Sequence, residues 1–203
     1  MYEPIETYLM TATIGIEVGK ITEFGIYDWR VLEVRDGKAL LLSREVIRTD
    51  TYNPSKGYTS WDICELRDCL NIDFYDKFGE REQERITEVL VTTAKNPRFN
   101  TDGGEVTLGK VFLLSVEEIV HYFGDSGQLT GGNPKSKWWI NDQYNASRIA
   151  YDGNGVSVWW WLRTPGIHSN TAVYVNTGGS INLAGHRAYN GDGGVRPAMW
   201  VNI

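Results

Sequence analysis

Hydrophobic and polar positions alternate along residues 21–35, ITEFGIYDWRVLEVR, with β-branched and aromatic residues on the apolar phase, a pattern that predicts strand. Asp36-Gly37 then supplies a tight turn into a second apolar run, KALLLS, so the segment reads as a hairpin. A loop follows over TDTYNPSKGY, marked by Pro54 and Gly57. After it the period becomes helical. Thr59 and Asp62 have the spacing of a capping box, and Ile63, Leu66, Leu70 and Phe74 form one stripe of a helix predicted to run to about Phe78 and stop at Gly79. A second helix is predicted over EREQERITEVLVTTA (80–94), whose first turn carries the acidic residues that suit the helix dipole. Beyond a loop over 95–109, KVFLL (110–114) reads as a strand. Ser115 then starts a third helix, with Glu118 completing its box, Leu114 and Ile119 as its hydrophobic staple and Gly124 as its end.

From residue 125 onward no helix is predicted. The runs WWI, VSVWWWLRTPG, TAVYVNTGGSINLAG and GVRPAMWVNI are strand-like, and Gly178-Gly179 marks a hairpin between two of them. Pro197 cannot donate to a ladder, so the last strand is expected to be an edge or to be bulged there. Strands, then helices, then a strand- and loop-rich half make an α+β class. No linker divides the chain, so 17–203 reads as one domain and 1–16 as an N-terminal arm or strand.

Composition narrows the function. The chain has 203 residues, 41% hydrophobic and 23% charged, and a net charge of −6, which argues against binding nucleic acid or an anionic membrane. No apolar run reaches the ~18 residues of a membrane span, and the N-terminus lacks the basic and apolar regions of a signal peptide. The compartment stays open: cytoplasm, phage virion, or display through a partner. With 8 Trp, 11 Tyr and 22 Gly, the chain suggests a rigid scaffold of short strands and ordered loops. Cys64 and Cys69 match neither a disulfide along a helix nor a zinc spacing, and read as small apolar residues.

No catalytic set emerges. His121, His168 and His186 have no HExxH context, and nucleophile-elbow and phosphate-loop motifs are absent. Asp142, Asp152 and Asp192 read as turn residues rather than cation ligands. The tryptophans at 138–139 and 159–161 could offer a stacking platform, but only alternate residues of a strand share a surface, so most are assigned to the core. Neither metal nor cofactor is expected.

The C-terminal motifs Leu162-Arg-Thr-Pro-Gly166, Gly179, Gly185 and Gly194-Val-Arg-Pro-Ala198 with Trp200 resemble a bacterial and phage family of C-type-lectin-like proteins. That family includes the variable proteins of diversity-generating retroelements. FGIYDWRVLEV, ALLLS and SWDICELRDCLN are similar to its N-terminal half, so the resemblance covers roughly 17–203, with Cys69 standing where the family carries a large aromatic. It implies a C-type lectin-like fold and a non-enzymatic binding scaffold whose 3′ coding region is rewritten at adenines. Rewriting adenines in Asn codons never yields Lys, Glu, Gln, Met or Trp. Those five types supply 36 of the 203 residues, yet 167–193 contains none where about five are expected. The implied contact residues are Ile167, His168, Ser169, Asn170, Thr171, Tyr174, Asn176, Thr177, Ser180, Asn182, Leu183, His186, Arg187, Tyr189, Asn190 and Asp192, a Tyr-, Ser- and Asn-rich mixture suited to a paratope. The tryptophans, Arg163 and Arg196 are expected to support them, the arginines by hydrogen bonds to backbone carbonyls. The implied partner is a protein or cell-surface ligand. The alternative is a fixed lectin-like or adhesin module for glycan, although of the calcium-lectin signature only Trp139-Ile-Asn141-Asp142 is present. A formylglycine-generating oxidase shares the fold but needs a cysteine pair, and none lies beyond Cys69.

Overall fold

Two sheets built from strands far apart in sequence organise the computed structural model, which describes residues 16–131, 136 and 138–203. Except for Ile16, the predicted arm lies outside the described residues. The run read as one strand is itself a hairpin: β1 (Ile21–Phe24) turns at Gly25 into β2 (Tyr27–Arg35). Asp36 and Gly37, at φ 49° and 69°, then close the predicted turn into β3 (Lys38–Ser43), and β4 (Arg48–Asp50) follows.

The predicted helix over 59–78 is discontinuous. A 3₁₀ turn (Trp61–Ile63) leads into α1 (Glu65–Cys69), then a wide π turn (Leu70–Phe74) and a last 3₁₀ turn (Tyr75–Lys77). Thr59 caps nothing, and Asp62 instead accepts from the Ser60 hydroxyl. The first turn of α1 is met from outside the helix, Glu65 N–H by Asn53 Oδ1 and Leu66 N–H by Tyr52 O, both at 3.3 Å. Ile63 is exposed, and the buried stripe runs instead through Leu66, Leu70, Phe74 and Phe78.

α2 (Glu80–Arg85) also ends early. Ile86 onward is rich in β-branched residues and extends as β5 (Ile86–Thr87) and β6 (Val89–Val91). The predicted strand at 110–114 shifts upstream to β7 (Thr107–Gly109), leaving Phe112 a single bridge to Ala198. α3 (Val116–Phe123) forms as predicted: Ser115 Oγ accepts from Glu118 N–H at 3.2 Å, and Glu118 accepts from Ser115 N–H at 2.8 Å. Two single-turn helices, α4 (Gln128–Gly131) and α5 (Asn145–Arg148), interrupt the region predicted to be free of helix. They accompany β8 (Trp139–Ile140), β9 (Ala150–Tyr151), β10 (Ser157–Val158), β11 (Trp160–Pro165), β12 (Thr171–Val175), β13 (Ile181–Arg187), β14 (Gly193–Val195) and β15 (Ala198–Asn202).

The first sheet has the order β1-β2-β3-β15-β5 and the second β4-β14-β11-β12-β13-β8; β6/β7 and β9/β10 are separate ribbons. With several small sheets and short helices, the chain is α+β. β3 leads into β4 of the second sheet at 44–47, the chain rejoins the first sheet at β5, and β14 leads back into β15 of the first at Arg196-Pro197, beside the first crossing. β15 is therefore an interior strand, not an edge. Pro197 sits in the step between sheets, where its missing N–H interrupts no ladder. Its carbonyl accepts from Ser43 N–H at 2.9 Å, and Arg196 Nε donates to Ser43 O at 2.8 Å. The core runs through both sheets and includes Trp29, Trp61, Trp160 and Trp161, each at most 1% exposed.

Candidate functional site

The β12–β13 hairpin sets the geometry of the candidate surface. Gly179, at φ +83°, lies so close to the backbone of Asn145 that a Cβ would overlap the Asn145 carbonyl, which pins the turn against α5. The register pairs Tyr174 with Asn182 and Ala172 with His186, and β8 adds Trp139 opposite Asn182. One side of the second sheet consequently gathers half-buried Trp139, Trp159, Tyr174 and His186.

Ring contacts lock this group together. Trp159 meets Tyr174 at 5.1 Å and 66° and His186 at 5.3 Å, while Trp139 meets Tyr174 at 6.2 Å and 82°. Asn182 Nδ2 donates to Tyr174 Oη at 3.2 Å, and Asn190 Nδ2 lies 2.9 Å from His186 Nδ1. Beneath them Trp161 is buried against Trp159 at 4.6 Å, and its Nε1 donates to Asp50 O at 3.0 Å. Gly193 is required there, because a Cβ would overlap the Trp161 indole.

The implied contact residues fall into four groups. Tyr174, His186 and Asn190 belong to this aromatic side. His168, Ser169, Asn170, Arg187 and Tyr189 collect at one end of the hairpin with Ile167, and Asp192 is exposed in the loop after Tyr189. Asn176 and Thr177 lie at the opposite end, roughly 15 Å away along the strands, where Ser157 donates to Thr177 O at 2.6 Å. Thr171, Ser180, Asn182 and Leu183 are no more than 9% exposed, so they sit inside the protein rather than on its surface. Asn176 and Asn182 are held by local hydrogen bonds, Asn176 Oδ1 accepting from Gly178 and Ser180 N–H and Asn182 Oδ1 from Gly185 N–H.

Sequence reasoning missed four neighbours. Trp139 and Trp159, which strand alternation assigns mostly to the core, are half-buried at this surface. Lys56 and Tyr58 arrive from the loop before α1, fastened by Asn170 Nδ2 to Lys56 O at 3.1 Å and Thr59 N–H to Ser169 O at 2.6 Å. Their only sequence signal is an exposed Tyr and Lys beside Pro54 and Gly57.

Both arginines hydrogen-bond to backbone carbonyls as expected, but to none belonging to the implied contact residues. Arg163 donates to Leu113 O at 2.7 Å and Thr92 O at 3.1 Å, and it pairs with Glu118. Arg196 donates to Ser43 O and Arg44 O. Asp142 is consumed by Arg148 at 2.9 Å, and Asp152 accepts from Asn154 and Val156 N–H in its own turn. Among the described residues no group of three His, Cys, Asp or Glu could hold a metal, and no helix is long and apolar enough to cross a membrane. Cys64 is buried, and burial pushes its thiol up to about 12. Half-buried Cys69 lies between Arg48 and Asp73, its thiol also raised, chiefly by burial. A cleft of about 480 Å³ opens elsewhere, over Leu40, Phe112 and Trp200, and none of the implied contact residues lines it.

Comparison with the curated proteins and with the solved structures gives no match. A family model described as a domain of unknown function, DUF6273, matches residues 36–203, a span that takes in every strand from β3 to β15 and the whole aromatic side; the chain belongs to that family.

Proposed function

We propose that this chain is a non-enzymatic binding protein of C-type-lectin-like fold, and that its C-terminal surface recognises a protein or cell-surface ligand. The observation that carries the reading is a division of labour within the second sheet. Trp160, Trp161, Val173 and Val175 are fully buried, while Trp139, Trp159, Tyr174 and His186 stay half-buried, fixed by one another and bordered by Asn182 and Asn190. Large rings held rigid before binding give up little entropy on contact, and the half-buried Asn190 amide beside them can adapt its hydrogen bonds. Diversification of 167–193 is part of the proposal and is supported by the missing five residue types.

A ligand captured on the wild-type chain and measured by calorimetry tests the surface. Trp159→Ala and Tyr174→Ala are expected to weaken it by about 1–3 kcal/mol each, while Lys38→Ala and Glu88→Ala leave it unchanged. A ligand indifferent to every substitution between 167 and 192 overturns the reading. Sequencing the DNA downstream tests diversification, which predicts a near-copy of the codons for 160–200, altered at adenines, beside a reverse transcriptase gene. The second reading, a fixed glycan module, is favoured by the half-buried tryptophan rings. It predicts a clean downstream region and a neutral saccharide that quenches tryptophan fluorescence without calcium.

A further inference from the structure

The loop end of the binding surface brings two exposed cations onto one aromatic ring. Arg35, Arg44, Arg48, Arg67, Arg148 and Arg163 each lie beside a carboxylate. Arg187 and Lys56, like Arg30, Arg81, Arg85, Arg98 and Arg196, pair with no carboxylate among the described residues; what sets Arg187 and Lys56 apart is where they meet. They come from segments far apart in sequence and converge on one ring: Lys56 Nζ lies 5.5 Å and Arg187 Cζ 5.9 Å from the centre of Tyr189. Both cations are exposed, and Asn170 ties the Lys56 backbone to the same spot.

Tyr189 also orients the guanidinium. Arg187 Nη1 donates to Tyr189 Oη at 2.6 Å, which occupies one corner of the fork. Nε and Nη2 donate to no acceptor among the described residues, and together they form the edge with two parallel N–H bonds. That edge matches the two oxygens of a carboxylate. Over the same ring, Lys56 offers a compact second charge with no preferred plane.

We infer that Lys56, Arg187 and Tyr189 form a subsite for an acidic peptide segment, with one carboxylate seated on the Nε–Nη2 edge of Arg187 and a second near Lys56. This rests on the binding-surface reading and gives it a chemistry. On a chain of net charge −6 a paired cation site of this kind would set register and orientation more than raw affinity.

The test is a titration of the full ¹⁵N-labelled chain with a hexaglutamate peptide at low salt, following backbone amides and the Arg187 Nε–H signal. Expected are shifts confined to 56–58, 168–170 and 187–190, weakening as salt is added, with a hexaglutamine peptide silent. Arg187→Gln and Lys56→Gln should each weaken the titration roughly two- to fivefold, the range of an exposed ion pair. Arg187→Lys should fall short of wild type because the fork is lost, and Glu88→Gln should match wild type. Preserved amide spectra of the variants establish folding. Equal binding of hexaglutamine, shifts centred elsewhere, or an unaffected Arg187→Gln overturns the subsite. Inorganic phosphate moving the Arg187 signal as strongly as hexaglutamate overturns its assignment to carboxylate. If hexaglutamate is silent while a captured ligand still depends on Tyr174, this subsite fails and the binding surface stands; a ligand indifferent to both removes both.

Discussion

Asp142 and Arg148 form an ion pair whose side chains are 1% and 0% exposed, close to the strands that carry the aromatic side. The guanidinium also donates to Gly124 O at 2.8 Å, and the Arg148 carbonyl accepts from Trp160 Nε1 at 3.1 Å. Burial alone would raise the Asp142 carboxyl. Hydrogen bonds from Ser126, Arg148 and Tyr144 N–H outweigh it and hold the group below its ordinary value. Its contribution to stability is therefore complete above the ordinary carboxylate range and is lost as the pH falls through the lowered value. Asp142→Asn leaves Arg148 buried and unpaired, with an expected cost of about 3–5 kcal/mol at neutral pH. Melting curves from pH 7 to pH 3 check it: the gap between wild type and variant should narrow in acid, and a constant gap would contradict it. Alternation along 159–161 was legible at this scale, since Trp159 and Trp161 share one side and Trp160 faces the other. The burial of Ser180, Asn182 and Leu183 was not. A residue type that suits a paratope suits a turn or a core equally, and only the register separates them.

Among the elements, those specified by neighbouring residues were the ones the sequence revealed. α3 carries its own capping box in Ser115 and Glu118 and forms where expected, with Thr164 Oγ1 accepting from Val116 N–H as a remote addition. Ser115→Ala should cost about 1 kcal/mol and lower the melting temperature by a few degrees. Glu118→Gln should cost more than Ser115→Ala, because Arg163, itself 5% exposed, loses its countercharge. A reversed order would show that the cap, not the pair, is what Glu118 contributes. The helices predicted at 59–78 and 80–94 failed for a shared reason. Their ends depend on remote partners: Tyr52 and Asn53 meet the start of α1, and β15 draws Ile86 and Thr87 into a strand. Helical spacing of apolar residues carries no information about such partners.

Across the molecule the α+β class was legible from the order of strand-like and helix-like runs, whereas the partition into two sheets was not. That partition depends on two adjacent crossings, and Pro197 looks from sequence like a mark of an edge strand. Arg196 compensates at the step by covering the Ser43 and Arg44 carbonyls. Since β15 lies between β3 and β5, removing residues 198–203 should abolish cooperative unfolding of both sheets rather than fray one margin. Loss of the near-ultraviolet circular dichroism of the tryptophans, several of them on the second sheet, would register this. A truncated chain that keeps that signal would show the second sheet to be self-sufficient.

The side-by-side crossings also impose an order of events on the living cell. Arg196 and Ser43 are 153 residues apart in the chain, yet they share a hydrogen bond. Contacts at such separation are reached late and slowly, because a long loop must close before they form. During synthesis β1 to β3 emerge early with an open margin and wait for the partner that seals it until β15 has left the ribosome. Throughout that interval the nascent chain offers an unpaired apolar strand to its neighbours, the condition under which chaperones are recruited. Its yield in a host should therefore respond more to the pace of translation and to chaperone supply than its final stability would suggest.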